Sequence, residues 1–192
     1  MSLNMTEVAS RRRQVGGAFV ILLWINAGLL AGLNAALNGP LPSLFILAGG
    51  AILATLPSLY WRWRQGGDGL PVVSSMALAA QIALLTMTVL PLSPGDLELY
   101  QNMHGWFFAG LCICALWLDR RAVLSFFGLA TLYQLAAYWL LPDFWFVDEG
   151  AIASQSLRLG MFAAGAAALF VLISRWSDIG RTAAISGAAS SD

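Results

Sequence analysis

The sequence predicts an all-α integral membrane protein, a six-transmembrane-helix bundle of three antiparallel hairpins with both termini cytoplasmic. Its composition is 59% hydrophobic and 10% charged, which is typical of a multi-pass membrane protein and not of a soluble domain. Its apolar stretches are about 20 residues long, the length that a helix needs to cross a bilayer. Its arginines and its acidic residues fall in alternate connections between these stretches, which predicts the topology.

The positive charges are confined to one set of boundaries. The chain has no lysine, and its arginines outside the apolar stretches are Arg11, Arg12, Arg13, Arg62, Arg64, Arg120, Arg121, Arg175 and Arg181. The alternate connections carry only acids, which are Asp96, Glu98, Asp143, Asp148 and Glu149. Because arginine and lysine remain on the cytoplasmic side of a membrane, both termini are expected inside. The predicted location is the bacterial cytoplasmic (inner) membrane.

The helices are placed from the apolar stretches. The predicted spans are Val15–Leu37, Leu41–Tyr60, Leu70–Leu90, Asn102–Leu118, Ala122–Leu141 and Ser154–Ser174. Short connections between them make sequential helices antiparallel neighbours. One transmembrane domain, 15–174, is therefore expected between a cytoplasmic N-terminal segment, 1–14, and a cytoplasmic tail, 175–192, that is disordered at its end. A β-barrel is excluded because the apolar runs do not alternate in polarity.

Small residues recur at four-residue spacing in the first and last spans. Gly28 and Gly32 form a GxxxG pair, and Gly160, Ala164 and Ala168 continue a similar row. Such rows let helix backbones approach closely. We expect them to pack within the chain, with a protein partner as the alternative.

Polar residues inside the membrane are the candidate functional residues, because burying them in hydrocarbon is costly. His104, Gln134 and Arg158 lie at comparable depths in the last three predicted spans, and Tyr133 adjoins Gln134. We expect them to converge on a ligand- or lipid-headgroup-binding pocket, which Gln81 reaches from below. The alternatives are a hydrogen bond from His104 to a neighbouring helix, and an Arg158 that reaches the interface or pairs with an acidic loop residue.

No catalytic motif is present, so we expect no enzyme. A single histidine without a carboxylate in the same apolar stretches cannot make a typical metal site, and a bis-histidine haem is excluded within one chain. We therefore expect no catalytic residues, no metal and no cofactor. The expected partners are the lipid bilayer and a membrane protein or larger complex, and no nucleic acid.

Four short motifs lie between Val72 and Pro142. They are Ala80-Gln81-Ile82-Ala83-Leu84-Leu85, Met103-His104-Gly105-Trp106-Phe107-Phe108-Ala109, Leu118-Asp119-Arg120-Arg121-Ala122 and Leu140-Leu141-Pro142. In these motifs the chain resembles the six-helix membrane input region at the N-terminus of some bacterial methyl-accepting chemotaxis proteins and related signalling proteins. The resemblance implies a sensor module that works in signal transduction through a partner protein.

The chain also departs from that family's pattern. Tyr133-Gln134 stands where the family has a pair of histidines, and Arg158 lies near a further family histidine, so His104 is the one retained. These losses favour an alternative function, a non-catalytic accessory or structural subunit of a larger respiratory or photosynthetic membrane complex. Both functions rest on protein–protein interaction.

Overall fold

The computed structural model describes residues 5–64, 67–88, 105–140 and 151–189, and the protein in these ranges is α-helical apart from short turns. The helices, in chain order, are α1 Met5–Asn38, α2 Pro40–Arg64, α3 Leu70–Thr88, α4 Gly105–Ala115, α5 Arg120–Leu140 and α6 Ala151–Ala189. The all-α prediction is confirmed, and each of the six predicted spans overlaps one of these helices.

Four of these helices contain a segment long and apolar enough to cross a membrane. The segments are Arg13–Asn38, Leu41–Arg64, Leu70–Thr88 and Ser156–Trp176. The helix α4 is apolar but has only 11 described residues, and the preceding residues Asn102, Met103 and His104 lie outside the described part. The helix α5 has 21 residues, begins with Arg120 and Arg121 and contains Gln134, and no such segment is found in its described part.

Two helices are longer than the predicted spans. The first, α1, already begins at Met5 and not at Val15, and α6 continues to Ala189, past the predicted end at Ser174. With 39 residues, α6 is about 58 Å long at 1.5 Å per residue, which is nearly twice the hydrocarbon thickness of a bilayer. The disorder expected at the end of the tail remains a prediction.

Two tight turns are explained by local chemistry. Gly39 has a φ of 87°, where glycine carries no steric penalty, and the following Pro40 begins α2 with the fixed φ that suits a first helical residue. After α4, Leu118 also has a positive φ, 51°. Asp119 then caps α5, since its Oδ1 accepts a hydrogen bond of 2.8 Å from the backbone N–H of Arg121.

The helix α3 is the centre of the bundle. It packs against α1, α2, α4 and α5, whereas the main contacts of α6 within the described residues are with α4 and α5. Over half of its span is buried, 56%, against 28% or less for the other three candidate spans. The hairpin partners α1–α2, α3–α4 and α5–α6 are in contact as expected, but the most extensive contact of α3 is with α5. Sequential pairing therefore describes only part of the packing.

The arginine-bearing helix ends lie together. Trp61 Nε1, at the end of α2, donates to the carbonyl of Arg13 near the start of α1, at 3.4 Å, and α3 begins after a short turn. Tyr133 of α5 meets Thr86 of α3 late in both helices, so α5 runs parallel to α3 and begins at the same end. The helix α6 follows the direction of α4, because Phe162 contacts Phe108 and Gly165 approaches Leu111.

The outer surface of the bundle is apolar. Large exposed side chains include Phe45 at 81% and Leu41 at 73% of their full accessible area. A contiguous apolar surface of this kind is unusual in a soluble monomer and is compatible with contact with lipid.

The rows of small residues also lie on the outer surface. Gly28, Gly32, Gly160, Ala164 and Ala168 are exposed, and a Cβ added to any of the three glycines would have no neighbour within 4 Å. The expectation that these rows pack within the chain is therefore wrong for the described residues. The small residue that brings α1 and α2 together is Gly50, whose added Cβ would lie 3.2 Å from Ala27 Cβ.

Candidate functional site

A buried glutamine joins three helices near the middle of the bundle. Gln81 of α3 has no exposed surface. Its Nε2 donates to the carbonyl of Leu23 in α1 and to that of Gly50 in α2, both at 3.0 Å. Its Oε1 accepts from Nδ2 of Asn26 in α1, also at 3.0 Å. Each polar atom of this amide is satisfied, as a buried polar group in an apolar bundle requires.

The hydrogen-bond pattern fixes the orientation of both amides. Two carbonyl partners can only accept, so the Gln81 atom facing them must be the NH₂ group, and its oxygen must face Asn26. Asn26 must then donate to it through Nδ2. This leaves Asn26 Oδ1 as an acceptor for which the described residues supply no hydrogen-bond donor.

Tyr133 belongs to a second contact on another side of α3. Its hydroxyl lies 2.6 Å from Thr86 Oγ1, and its ring stacks on Phe107 at a centroid distance of 5.9 Å. Thr86 follows Gln81 by five residues and so lies about 140° around the helix at 100° per residue. The hydrogen bonds of Gln81 go to α1 and α2, whereas Tyr133 contacts Thr86 on another side of α3, so these contacts do not bring the two predicted site residues together.

The other predicted site residues lie on α5 and α6 or outside the described residues. Gln134 and Arg158 are both partly buried, on two helices that pack against each other. His104 lies outside the described residues, as do Glu98, Asp143, Asp148 and Glu149, the acids considered as partners of Arg158. The convergence of His104, Gln134 and Arg158 on one pocket therefore stays a prediction.

Two asparagines of α1, Asn34 and Asn38, form hydrogen bonds near the end of the bundle opposite the arginines. Asn38 Nδ2, at the last residue of α1, donates to Asn34 Oδ1 at 2.8 Å and to the carbonyl of Thr88 at 3.0 Å. Thr88 is the last residue of α3 that the structure describes, so Asn38 ties this part of α3 to α1. Asn34 Oδ1 accepts from Asn38, whereas Asn34 Nδ2 is buried and has no hydrogen-bond partner among the described residues.

A groove that could hold a small molecule lies between α1, α3 and α4. Its volume is about 130 Å³, and it is partly open to the outer surface. Its walls are aliphatic and aromatic, and they carry no charged side chain; residues of the three helices that form them include Leu22, Asn26, Leu78, Ile82, Trp106 and Ile113. Asn26 therefore connects the groove to the buried Gln81 hydrogen bonds.

Sequence reasoning identified the polar residues of the bundle but not their pairing. Asn26 lies in the middle of the first predicted span and Gln81 in the middle of the third. Their similar depth in two helices of the same predicted direction is a signal that they pair. No comparable signal marks Thr86 as the partner of Tyr133, or Trp106 as part of a groove.

The arrangement combines interhelical hydrogen bonds with an apolar groove, and such a groove is suited to binding a small molecule. Among the described residues, no group of three or more His, Cys, Asp or Glu side chains could hold a metal ion. Cys112 is exposed and Cys114 is buried, and both thiols are free.

The chain matches no family model, and no curated protein and no solved structure is similar enough to it to assign a family.

Proposed function

We propose that the protein is a non-catalytic membrane module of the sensor type, which acts through a partner protein. The four long apolar helices and the apolar outer surface support its insertion in a bilayer. The family resemblance carried by the motif around His104 supports the sensor assignment. We propose six spans with both termini cytoplasmic, in the inner membrane of a bacterium.

The observation that carries the sensor proposal is the length of α6. It leaves the membrane-crossing segment at Trp176 and continues without a break to Ala189. Because the main contacts of α6 within the described residues are with α4 and α5, a small shift of those two helices would displace α6 and so reach the cytoplasmic side through its continuous helix. A helix displacement of 1–2 Å is a common form of signal at such an interface.

A second candidate is an accessory or structural subunit of a larger respiratory or photosynthetic membrane complex. The exposed rows of small residues favour it. Gly28 and Gly32 on α1, and Gly160, Ala164 and Ala168 on α6, have no internal packing role in the described residues. Small-residue rows on an outer face are suited to close contact with another transmembrane helix.

The topology predicts which loops a membrane-impermeant maleimide can reach in intact spheroplasts. A cysteine that replaces the exposed Asp68, in the turn between α2 and α3, should stay unlabelled until the membrane is lysed, because this turn adjoins arginines Arg62 and Arg64. A cysteine that replaces Asp96 should be labelled at once. The unaltered chain, with Cys112 and Cys114, serves as the blank. Labelling of Asp68→Cys in intact spheroplasts would refute the proposed orientation.

Site-specific photocrosslinking in the native membrane distinguishes the two functions. A photoreactive amino acid is introduced at Arg175, near the end of the α6 span, and in a separate variant at Ala164, in its row of small residues. Sensing predicts that the Arg175 variant captures a chemoreceptor-type or kinase partner. The accessory role predicts that the Ala164 variant captures a subunit of a large membrane complex, identified by mass spectrometry.

A third photoreactive variant at Leu124 is the matched control. Leu124 is exposed on α5 and belongs to neither surface, so it should capture lipid only. If the Arg175 variant captures the same material as the Leu124 variant, the sensor proposal fails. If the same holds for Ala164, the accessory role fails as well.

A further inference from the structure

We propose that the groove between α1, α3 and α4 binds the hydroxyl-bearing ring of a membrane-dissolved phenol, with Asn26 Oδ1 accepting its O–H. The proposal deepens the proposed function by naming a ligand class for the module. It rests on the proposed function because the ligand can reach the groove only if α1, α3 and α4 lie in lipid.

The first step is the unused acceptor. Asn26 Nδ2 donates to Gln81 Oε1, so a flip of the Asn26 amide that exchanged its nitrogen and oxygen would lose that bond. Asn26 Oδ1 receives no hydrogen bond from the described residues, and Asn26 lines the groove. In hydrocarbon an unpaired carbonyl oxygen is costly. A ligand that donates a hydrogen bond there relieves this cost, which an acyl chain cannot do.

The second step is the character of the walls. The groove has no charged lining residue, and its polar side chain, Asn26, stands among aliphatic and aromatic groups. A charged ligand would therefore lose its hydration without gaining a counter-ion. A neutral molecule with one polar group suits the groove, and the aromatic side chain of Trp106 is among the residues that line it.

The third step is size and access. A volume of about 130 Å³ is close to the roughly 150 Å³ of an engineered apolar cavity that accepts benzene. The enclosed part therefore accommodates one six-membered ring. Its open side is bordered by Ile25 and Leu29, which are 55% and 66% exposed, so an apolar tail on the ring can extend into the surrounding lipid.

The test uses two photoreactive probes in lipid nanodiscs, a 4-alkylphenol with a diazirine in its tail and its methyl ether. The two have nearly the same shape, but the ether has no hydrogen to donate. The phenol should label peptides of α1, α3 and α4 about three- to tenfold more strongly than the ether does, which is the effect of one hydrogen bond in this environment. Equal labelling by the two probes would mean that the groove holds any lipid chain, and the proposal would be overturned.

Variants that fill the groove complete the test. Ala109→Phe and Ile113→Phe each place a larger side chain in the lining without touching Gln81, and either should abolish the labelling. The matched control is Ala167→Phe on the exposed face of α6, which should label as the unaltered protein does. If both filling variants, shown to be folded by size-exclusion chromatography, still label, the site is not this groove. The crosslinking to protein partners is measured separately, so failure of ligand binding is distinguishable from failure of the proposed function.

Discussion

Replacing Gly110 by leucine is expected to destabilise the bundle by about 3 kcal/mol, the upper range for overpacking a buried site. A Cβ added at Gly110 in α4 would lie 2.5 Å from Phe126 Cζ and 2.6 Å from Ile82 Cδ1. Both neighbours are buried, on α5 and α3 respectively. Because side chains from two helices close on this one position, neither can move away without disturbing the packing of α3 against α5.

The measurement is the free energy of unfolding in mixed micelles, titrated with a denaturing detergent. The control is Gly128→Leu on α5, because Gly128 is exposed and an added Cβ there meets no atom within 4 Å. Both variants replace a glycine by a leucine within a helix, so the changes in helix propensity and in side-chain hydrophobicity are matched. Equal stability of the two variants would contradict the close approach of α3, α4 and α5.

The helices were predictable because the signal for each is local. A run of apolar residues between arginines or glycines is read from consecutive positions, so α2 and α3 begin within about one residue of the prediction. The extra length of α1 and α6 was not predictable in this way. Both continue beyond the apolar run, where hydropathy no longer distinguishes a helix from a loop.

Which helices pack together was not predictable, because apolar composition does not say which face meets lipid and which meets protein. In a soluble helix the polar face marks the exterior, but here both faces are apolar. The GxxxG pair Gly28 and Gly32 was therefore expected to make an internal contact but lies outside, while Gly50 and Gly110, which belong to no GxxxG pair, make close approaches to other helices. One signal was present for α3, whose polar residues Ser74, Ser75, Gln81, Thr86 and Thr88 are all buried.

For the candidate site, the sequence indicated individual polar residues and not their partners. Burying an amide side chain in hydrocarbon is costly, so the sequence indicates that Gln81 and Asn26 need hydrogen-bond partners. Two partners of Gln81 are backbone carbonyls, and because every residue has one, the sequence does not indicate which carbonyls they are. The groove depends on side chains of Leu22, Ile82 and Ile113 from different helices, and no local pattern connects these. Their arrangement follows only from the tertiary packing.

Gln81→Leu is expected to destabilise the bundle by about 2 kcal/mol, since it removes three interhelical hydrogen bonds at about 0.6 kcal/mol each. Leucine nearly preserves the volume, so the loss reports on polar contacts and not on a cavity. It leaves Asn26 Nδ2 without its acceptor, and it releases α3 from the carbonyls of Leu23 and Gly50.

A double-mutant cycle separates the contribution of Asn26 from that of the backbone carbonyls. Asn26→Leu alone should cost about 0.6 kcal/mol, and adding it to Gln81→Leu should cost nothing more, because the hydrogen bond of Asn26 in the described residues is the one to Gln81.

The matched control is Gln134→Leu on α5, where the glutamine is only partly buried and the described residues offer it no hydrogen bond. It should change the free energy of unfolding by much less than Gln81→Leu. Unfolding titrations that found the two glutamine variants equally stable would show that α1, α2 and α3 are not joined through Gln81.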